Sequence, residues 1–193
     1  MSARTTQRSM LAALALFIGA CASAPEHLYT LDAVEHVPVA DRSNLPLVLV
    51  GPVTVPEIVD RPQLVVREGK YAVVLKEQER WATPLKESLP MVVAAQLDER
   101  CPGARFRPLS NTVAEEPGAW LAIEFTNIEI SRATGVSVAA AWAYRDASKR
   151  GVEGDGEGHA DLDSTNFPSY VDGLQRALSA WTNFVVKQLP VCQ

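Results

Sequence analysis

The most constraining feature of this sequence is an amphipathic pattern near its C-terminus. Apolar side chains recur there at spacings of three or four residues, namely Val171, Leu174, Leu178, Trp181, Val185 and Leu189. Polar side chains lie between them, including Asp172, Gln175, Arg176, Ser179, Asn183 and Lys187. This spacing is typical of a helix with one apolar face. Such a helix is stable only against another apolar layer, which the rest of the chain must supply.

Two long β-type runs are the best candidates for that layer. They cover residues 120–130 and 136–144. In the second run, large apolar residues alternate with Ser and Ala, so both of its faces are fairly apolar. We therefore expect a central strand that is covered on both faces of its sheet.

Shorter β-type segments occur earlier in the chain. We expect strands at residues 28–34, 47–55 and 105–108, and a hairpin formed by residues 63–67 and 71–76. Gly51 and Pro52 interrupt the second of these strands. Because proline donates no ladder hydrogen bond, that strand is an edge strand at this point or contains a bulge.

A first helix is predicted after the hairpin, with Thr83 as its N-cap and Pro84 at its first position. Pro90 lies inside it and should kink it, and Cys101 ends it. Residues 151–158 are rich in glycine, and we interpret them as a flexible loop followed by a short strand at residues 159–162.

The order of these elements predicts an α/β fold with a single domain. We expect a mixed β-sheet of about five to seven strands, with two main amphipathic helices packed on it. The 193 residues are 47% apolar and 21% charged, which is the balance of one folded domain. Its net charge of −5 disfavours a nucleic-acid binder.

Residues 1–20 are typical of a signal peptide rather than of a fold. Arg4 and Arg8 precede an apolar run at residues 10–20 that is too short to span a membrane. The run ends in Ile-Gly-Ala followed by Cys21, the lipobox pattern of bacterial lipoproteins. An ordinary secretory peptide with a chance cysteine is the alternative. We expect lipid on Cys21, a tether over residues 21–27 and the domain over residues 28–193.

The compartment follows from the same segment. Ala22 favours sorting to the outer membrane, where the domain would face the oxidising periplasm. Removal of residues 1–20 leaves 16 basic and 23 acidic residues, a net charge of −7. With Cys21 acylated, two cysteines remain, and a disulfide between Cys101 and Cys192 is the natural hypothesis. Two separate buried thiols are the alternative.

No motif of a catalytic or cofactor-binding site stands out. The sequence contains neither a Gly-x-Ser-x-Gly elbow nor a phosphate-binding loop, and its three histidines lack ligand-spaced neighbours. Asp161 and Asp163 share one face of a predicted strand, but nothing marks a cleft around them. We therefore expect no enzymatic activity, no cofactor and no metal.

Several segments resemble one protein family. They are Leu-Tyr-Thr-Leu at residues 28–31, Val-Gly-Pro-Val-Thr-Val-Pro-Glu-Ile-Val-Asp-Arg-Pro-Gln-Leu-Val-Val-Arg at 50–67, Arg-Trp-Ala-Thr-Pro-Leu at 80–85 and Val-Ala-Ala-Ala-Trp at 138–142. Together with the lipobox, they resemble the PqiC family of ABC-transport auxiliary lipoproteins over about residues 18–190. The resemblance implies a non-enzymatic, outer-membrane partner of an MCE-domain protein that moves lipids between membranes and supports envelope integrity.

The first candidate surface for such a partner is the loop at residues 56–62. It carries Glu57, Asp60 and Arg61 between two prolines, which stiffen it and reduce the entropy lost on binding. The alternative is that Asp60 and Arg61 cap the turn or pair with neighbouring charges.

The second candidate surface is formed by Arg80 and Trp81, residue types that anchor many interfaces. Trp81 equally fits a place in the core beside the helix start. Trp120, Trp142 and Trp181 are expected in the core. Two functions stay open at this point, an accessory subunit and a periplasmic carrier with its own apolar pocket. Homo-oligomerisation is open as well.

Overall fold

The computed structural model describes residues 25–31, 42–109 and 116–193. The strands are β1 (His27–Tyr29), β2 (Leu47–Thr54), β3 (Gln63–Glu68), β4 (Ala72–Trp81), β5 (Arg105–Pro108), β6 (Ala119–Ser131), β7 (Gly135–Asp146) and β8 (Gly151–Ala160). The helices are α1 (Leu85–Arg100) and α2 (Phe167–Val186), and a 3-10 turn follows at Pro190–Cys192. The lipobox and the predicted strand residues 32–34 lie outside the described residues.

One mixed sheet contains all the described strands, and β6 lies at its centre. On one side β6 pairs antiparallel with β7, which pairs with β8. On the other side its first half pairs in parallel with β2, and β5 lies beyond. The C-terminal end of β6 meets β3, from which β4 and β1 continue the sheet. The predicted α/β class is therefore confirmed, with eight described strands rather than five to seven.

Both helices pack on the same face of this sheet. Helix α1 lies against β2 and β5, and α2 lies against β7 and β8. The helices contact each other through a buried hydrogen bond of 2.9 Å from Thr182 to Gln96. In the core between α2 and the sheet, the ring of Phe125 from β6 lies 5.6 Å from the ring of Trp181 from α2, centroid to centroid.

The prediction of a flexible loop at residues 151–158 is wrong, because this segment belongs to β8. Its glycines alternate with acidic residues at a period of two, which is the period of a strand. A Cβ at Gly156 would lie 2.5 Å from the Phe184 ring, and one at Gly158 would overlap the backbone of α2. Glycine at these two positions therefore lets the helix approach the sheet closely.

Three further expectations differ from the structure. Strand β2 lies between β5 and β6, so it is internal, and its pairing with β6 shifts register between Val50 and Val53. The bulge is thus the correct alternative, and a cis Gly51–Pro52 peptide lies within it. Helix α1 begins at Leu85 with Pro84 as N-cap and no capping side chain, so Thr83 does not cap it. Strand β7 is internal, but the helices cover only one of its faces.

Candidate partner-binding face

The sheet face that lies opposite the helices forms a broad surface of β2, β6, β7 and β8, which we call the open face. Small side chains occupy its middle, because Ala122 pairs with Ala143 and Glu124 pairs with Ala141 across β6 and β7. These alanines are half-buried, whereas the alternate residues of both strands are buried under the helices. Because these side chains are small, this part of the sheet surface is recessed relative to its surroundings.

A cleft of about 530 Å³ lies on the open face. Its walls include Pro52 and Thr54 from β2 and the carboxylates of Glu124, Glu153 and Asp155. Glu153 forms an ion pair with Arg145, yet its side chain remains 72% exposed. The cleft is therefore shallow and acidic at its border, and basic or polar groups of a partner fit its charge.

One end of the open face carries an aromatic and a cationic side chain. Trp120 is 38% exposed and pairs across the strands with Arg145. The expectation that Trp120 lies in the core is wrong, whereas Trp142 and Trp181 are buried as predicted. Trp120 alternates with Leu121 along β6, so it faces away from the helices. Exposed Trp and Arg are the residue types that anchor many interfaces.

The first surface proposed from the sequence is only partly available. Glu57 and Asp60 are exposed, and backbone hydrogen bonds from Val59 and Asp60 to Pro56 fold the loop into a turn. Arg61 is half-buried, and its Nε is buried without a hydrogen-bond partner in the structure.

In the second proposed surface, the aromatic residue is not accessible to a partner. Trp81 is 6% exposed and belongs to the core, which is the alternative that the sequence left open. Its backbone N–H donates to the Pro62 carbonyl at 2.7 Å, so the structure brings the two predicted surfaces together. Arg80 forms an ion pair of 2.7 Å with Glu26.

Strand β1 is held to the edge of the sheet by side-chain hydrogen bonds. The Tyr29 hydroxyl donates to Glu79 at 2.6 Å, and His27 lies 3.0 Å from the same carboxylate. Burial, together with this hydrogen bond and the negative charge of Glu79, raises the pKa of Tyr29 to about 12. Burial also opposes ionisation of Glu79, but the hydrogen bonds from Tyr29 and His27 outweigh it and lower the pKa of Glu79. These contacts hold β1 against β4.

A disulfide and a buried carboxylate hold the end of α1. The structure joins Cys101 to Cys192, whose Cα atoms lie 4.9 Å apart, and so ties α1 to the turn after α2. Asp98 accepts a hydrogen bond of 2.8 Å from the Phe106 N–H and lies 3.5 Å from Arg42. These contacts stabilise the C-terminal end of α1.

The described part of the chain lacks two further features. In it, no helix is long and apolar enough to cross a membrane. Within the same residues, no three His, Cys, Asp or Glu side chains are arranged to hold a metal ion. Cys21 lies outside the described residues.

Comparison with known proteins decides the family. The model of the ABC-type transport auxiliary lipoprotein component family matches residues 29–186. The chain belongs to this family. As a member, it is an auxiliary lipoprotein component of ABC-type transport, and the family resemblance seen in the sequence is confirmed.

Solved structures share the fold of this auxiliary lipoprotein. The crystal structure of an uncharacterised protein matches with a TM-score of 0.69 and 16% identity, covering 86% of this chain and 99% of the other. A protein from Xanthomonas campestris matches with a TM-score of 0.62 and 15% identity, covering 83% of this chain and 92% of the other. No curated protein matched the chain. At these identities the structural matches establish the fold alone.

Proposed function

We propose that this auxiliary lipoprotein is a non-enzymatic accessory subunit of an MCE-type system that transports lipids between membranes and supports envelope integrity. It is anchored to the outer membrane by lipid on Cys21 and faces the periplasm. The observation that carries the proposal is the family match over residues 29–186. The lipobox at residues 18–21 and the acidic open face support it.

The open face is the surface that we propose for the partner protein. Its carboxylates at Glu124, Glu153 and Asp155 attract a basic surface, while Trp120 offers an exposed anchor beside them. The loop with Glu57 and Asp60 is the competing surface. The open face consists of paired strands, and the loop is a turn with backbone hydrogen bonds to Pro56, so binding orders few backbone groups at either surface.

The shape of the cleft favours the accessory subunit over the carrier. A carrier encloses most of its lipid within an apolar cavity. The cleft here lies open on a sheet surface, and Glu124 and Asp155 lie at its border beside Glu153, which is paired with Arg145. Burying a carboxylate against an acyl chain is costly unless it is paired.

The experiment measures binding of the purified domain to the MCE-domain protein encoded in the same genome. Reversing charge with Glu153→Lys and Asp155→Lys should weaken binding at least about tenfold, the effect of about 1.4 kcal/mol. Glu57→Lys with Asp60→Lys tests the competing loop. Glu99→Lys on helix α1, also exposed, is the control for added positive charge.

Each outcome has a distinct meaning. Loss of binding with the loop variants alone moves the site to residues 56–62. Absence of binding by the unmodified domain refutes the MCE partnership. Phospholipid that co-purifies in equal molar amount with the isolated monomer, detected by mass spectrometry, supports the carrier instead. Absence of labelling by radioactive palmitate refutes the lipid anchor on Cys21.

A further inference from the structure

The turn between β3 and β4 ends in an exposed aromatic residue that the binding face does not use. Tyr71 is 87% exposed, and the Lys70 ammonium lies 5.1 Å from the centroid of its ring. Val73 and Leu75 follow at alternate positions, and each is 37% exposed. A tyrosine with an adjacent cation is suited to a membrane surface, because its ring is apolar and its hydroxyl remains hydrated.

A second cationic side chain lies at the same end of the sheet. Arg67 in β3 is paired in register with Ser131, the last residue of β6, so the β6–β7 turn lies beside the β3–β4 turn. Arg132 in that neighbouring turn has a side chain that is 50% exposed. Glu68 pairs with Lys76 and lies 4.0 Å from Arg132, and Glu129 pairs with Arg67. Arg132 also donates a hydrogen bond of 3.0 Å to the Tyr170 hydroxyl. Asp161 and Asp163 follow β8 at the same end of the sheet, and Arg176 pairs with Asp163. The positive charge that the two turns themselves carry is therefore that of Lys70 and Arg132.

The N-terminal tether reaches the domain from this same end. Strand β1 runs parallel to β4 with His27 opposite Glu79, so the residues before His27 enter from the side of the β3–β4 turn. Along β4, Tyr71 lies eight residues from Glu79, or about 26 Å. Cys21 lies six residues before His27 and is at most about 21 Å from it. A lipid on Cys21 can therefore come close to the level of Tyr71.

The opposite end of the sheet is too far away for the same tether. Strand β6 extends from its paired end at Ser131 back to Ala119, about 40 Å at the rise of a strand. The β7–β8 turn, which contains Ser148, lies beside Ala119, because Ala119 pairs with Asp146. A tether of about 21 Å cannot hold that turn at the membrane while entering β1 from the other end.

We propose that the β3–β4 turn, through Lys70 and Tyr71, is a second membrane contact that seats on an anionic phospholipid surface together with Arg132. The inference rests on the proposed lipid anchor at Cys21. The two contacts together hold the long axis of the sheet away from the membrane plane, whereas a lipid anchor alone leaves the orientation of the domain unspecified. The open face then stands upright and is accessible from the periplasm.

The experiment uses the mature lipoprotein in nanodiscs of phosphatidylethanolamine and phosphatidylglycerol. Ala72→Cys places a bimane label beside the turn, and Ser148→Cys places one at the far end; both positions are exposed. Doxyl-labelled lipids should quench the label at position 72 at least about threefold more than the label at position 148. Lys70→Glu with Tyr71→Ser should reduce this ratio to about one, and Lys149→Glu in the far turn should leave it unchanged.

Equal quenching of the two labels overturns the proposal, as does a ratio that Lys70→Glu with Tyr71→Ser leaves intact. Intact mass before reconstitution reports separately on the acyl chains at Cys21. If they are absent, the anchor proposed above fails. The labelled chains are then attached through a histidine tag at position 21 to a nickel-chelating lipid, and the same quenching ratio decides whether the turn contacts the membrane.

Discussion

The glycine side of β8 gives a graded prediction of stability. Gly154, Gly156 and Gly158 lie on the same side of β8, but an added methyl group meets a different neighbour at each position. At Gly158 the new Cβ would overlap the carbonyl oxygen of Ala177 and lie 2.8 Å from the backbone nitrogen of Trp181. Both atoms belong to the helix backbone, so α2 must move away from the sheet.

The magnitude follows from how far the helix must move. Normal carbon contacts are about 3.5 Å, so relief at Gly158 requires a shift of about 1 Å or more. That shift loosens the packing of Leu174, Leu178 and Trp181, which are fully buried. Overpacking of a core typically costs about 1–3 kcal/mol, and we expect Gly158→Ala to reduce the free energy of unfolding by about 3 kcal/mol.

The other two glycines serve as matched controls. At Gly156 the new Cβ meets the Phe184 ring, which is 41% exposed and free to rotate outward, so we expect a loss of about 1 kcal/mol. At Gly154 it lies 3.0 Å from the Trp142 ring. There the smaller clash is offset by the reduced entropy of the unfolded chain, about 0.4–1 kcal/mol for Gly→Ala.

Urea denaturation of the domain beginning at residue 22, followed by circular dichroism, measures the three values. The expected order of destabilisation is position 158, then 156, then 154. If Gly158→Ala is no more destabilising than Gly154→Ala, the close approach of α2 to β8 is incorrect and the reasoning fails.

Three other changes test the stabilising contacts. Replacing Cys101 and Cys192 by Ser should lower the free energy of unfolding by about 4.6 kcal/mol, because the bond closes a loop with a separation of 91 residues; a loss under about 1 kcal/mol in urea contradicts this. Asp98→Asn should cost about 2 kcal/mol in the same assay, because two arginines lose a buried carboxylate; an unchanged midpoint opposes it. The neutral Tyr29 phenol stabilises the fold fully below pH 10, and this contribution is lost as pH rises through its raised pKa of about 12. Glu79→Gln should lower that pKa in an ultraviolet titration corrected with Tyr29→Phe, and an unmoved pKa refutes the assignment.

Sequence periodicity predicted the elements whose patterns are local. The apolar spacing from Val171 to Val185 predicted α2, and the alternation at residues 136–144 predicted β7. The same reasoning was available for β8, where glycine and acidic residues alternate, but glycine carries no apolar side chain by which the period is recognised. Composition therefore favoured a loop where the structure has a strand.

Cysteine parity after lipidation singled out Cys101 and Cys192, and the structure places these two sulfurs in one bond. The positions of the tryptophans did not follow in the same way. The sequence does not distinguish a buried position for Trp81 from an exposed one for Trp120. In the structure, Trp81 is 6% exposed and Trp120 is 38% exposed. Burial depends on which sheet face the helices cover, and that depends on contacts between distant segments.

The sequence by itself determined the α/β class, the amphipathic helices and the family, because each depends on residue types at short and regular spacings. Only the tertiary structure decided that both helices cover the same face of the sheet. Glu124 and Asp155 lie 31 positions apart in the chain, and a cleft between them forms only after β6, β7 and β8 pair. The sheet register that joins them is a property of the whole fold, since strand pairing over such separations is set by the common core.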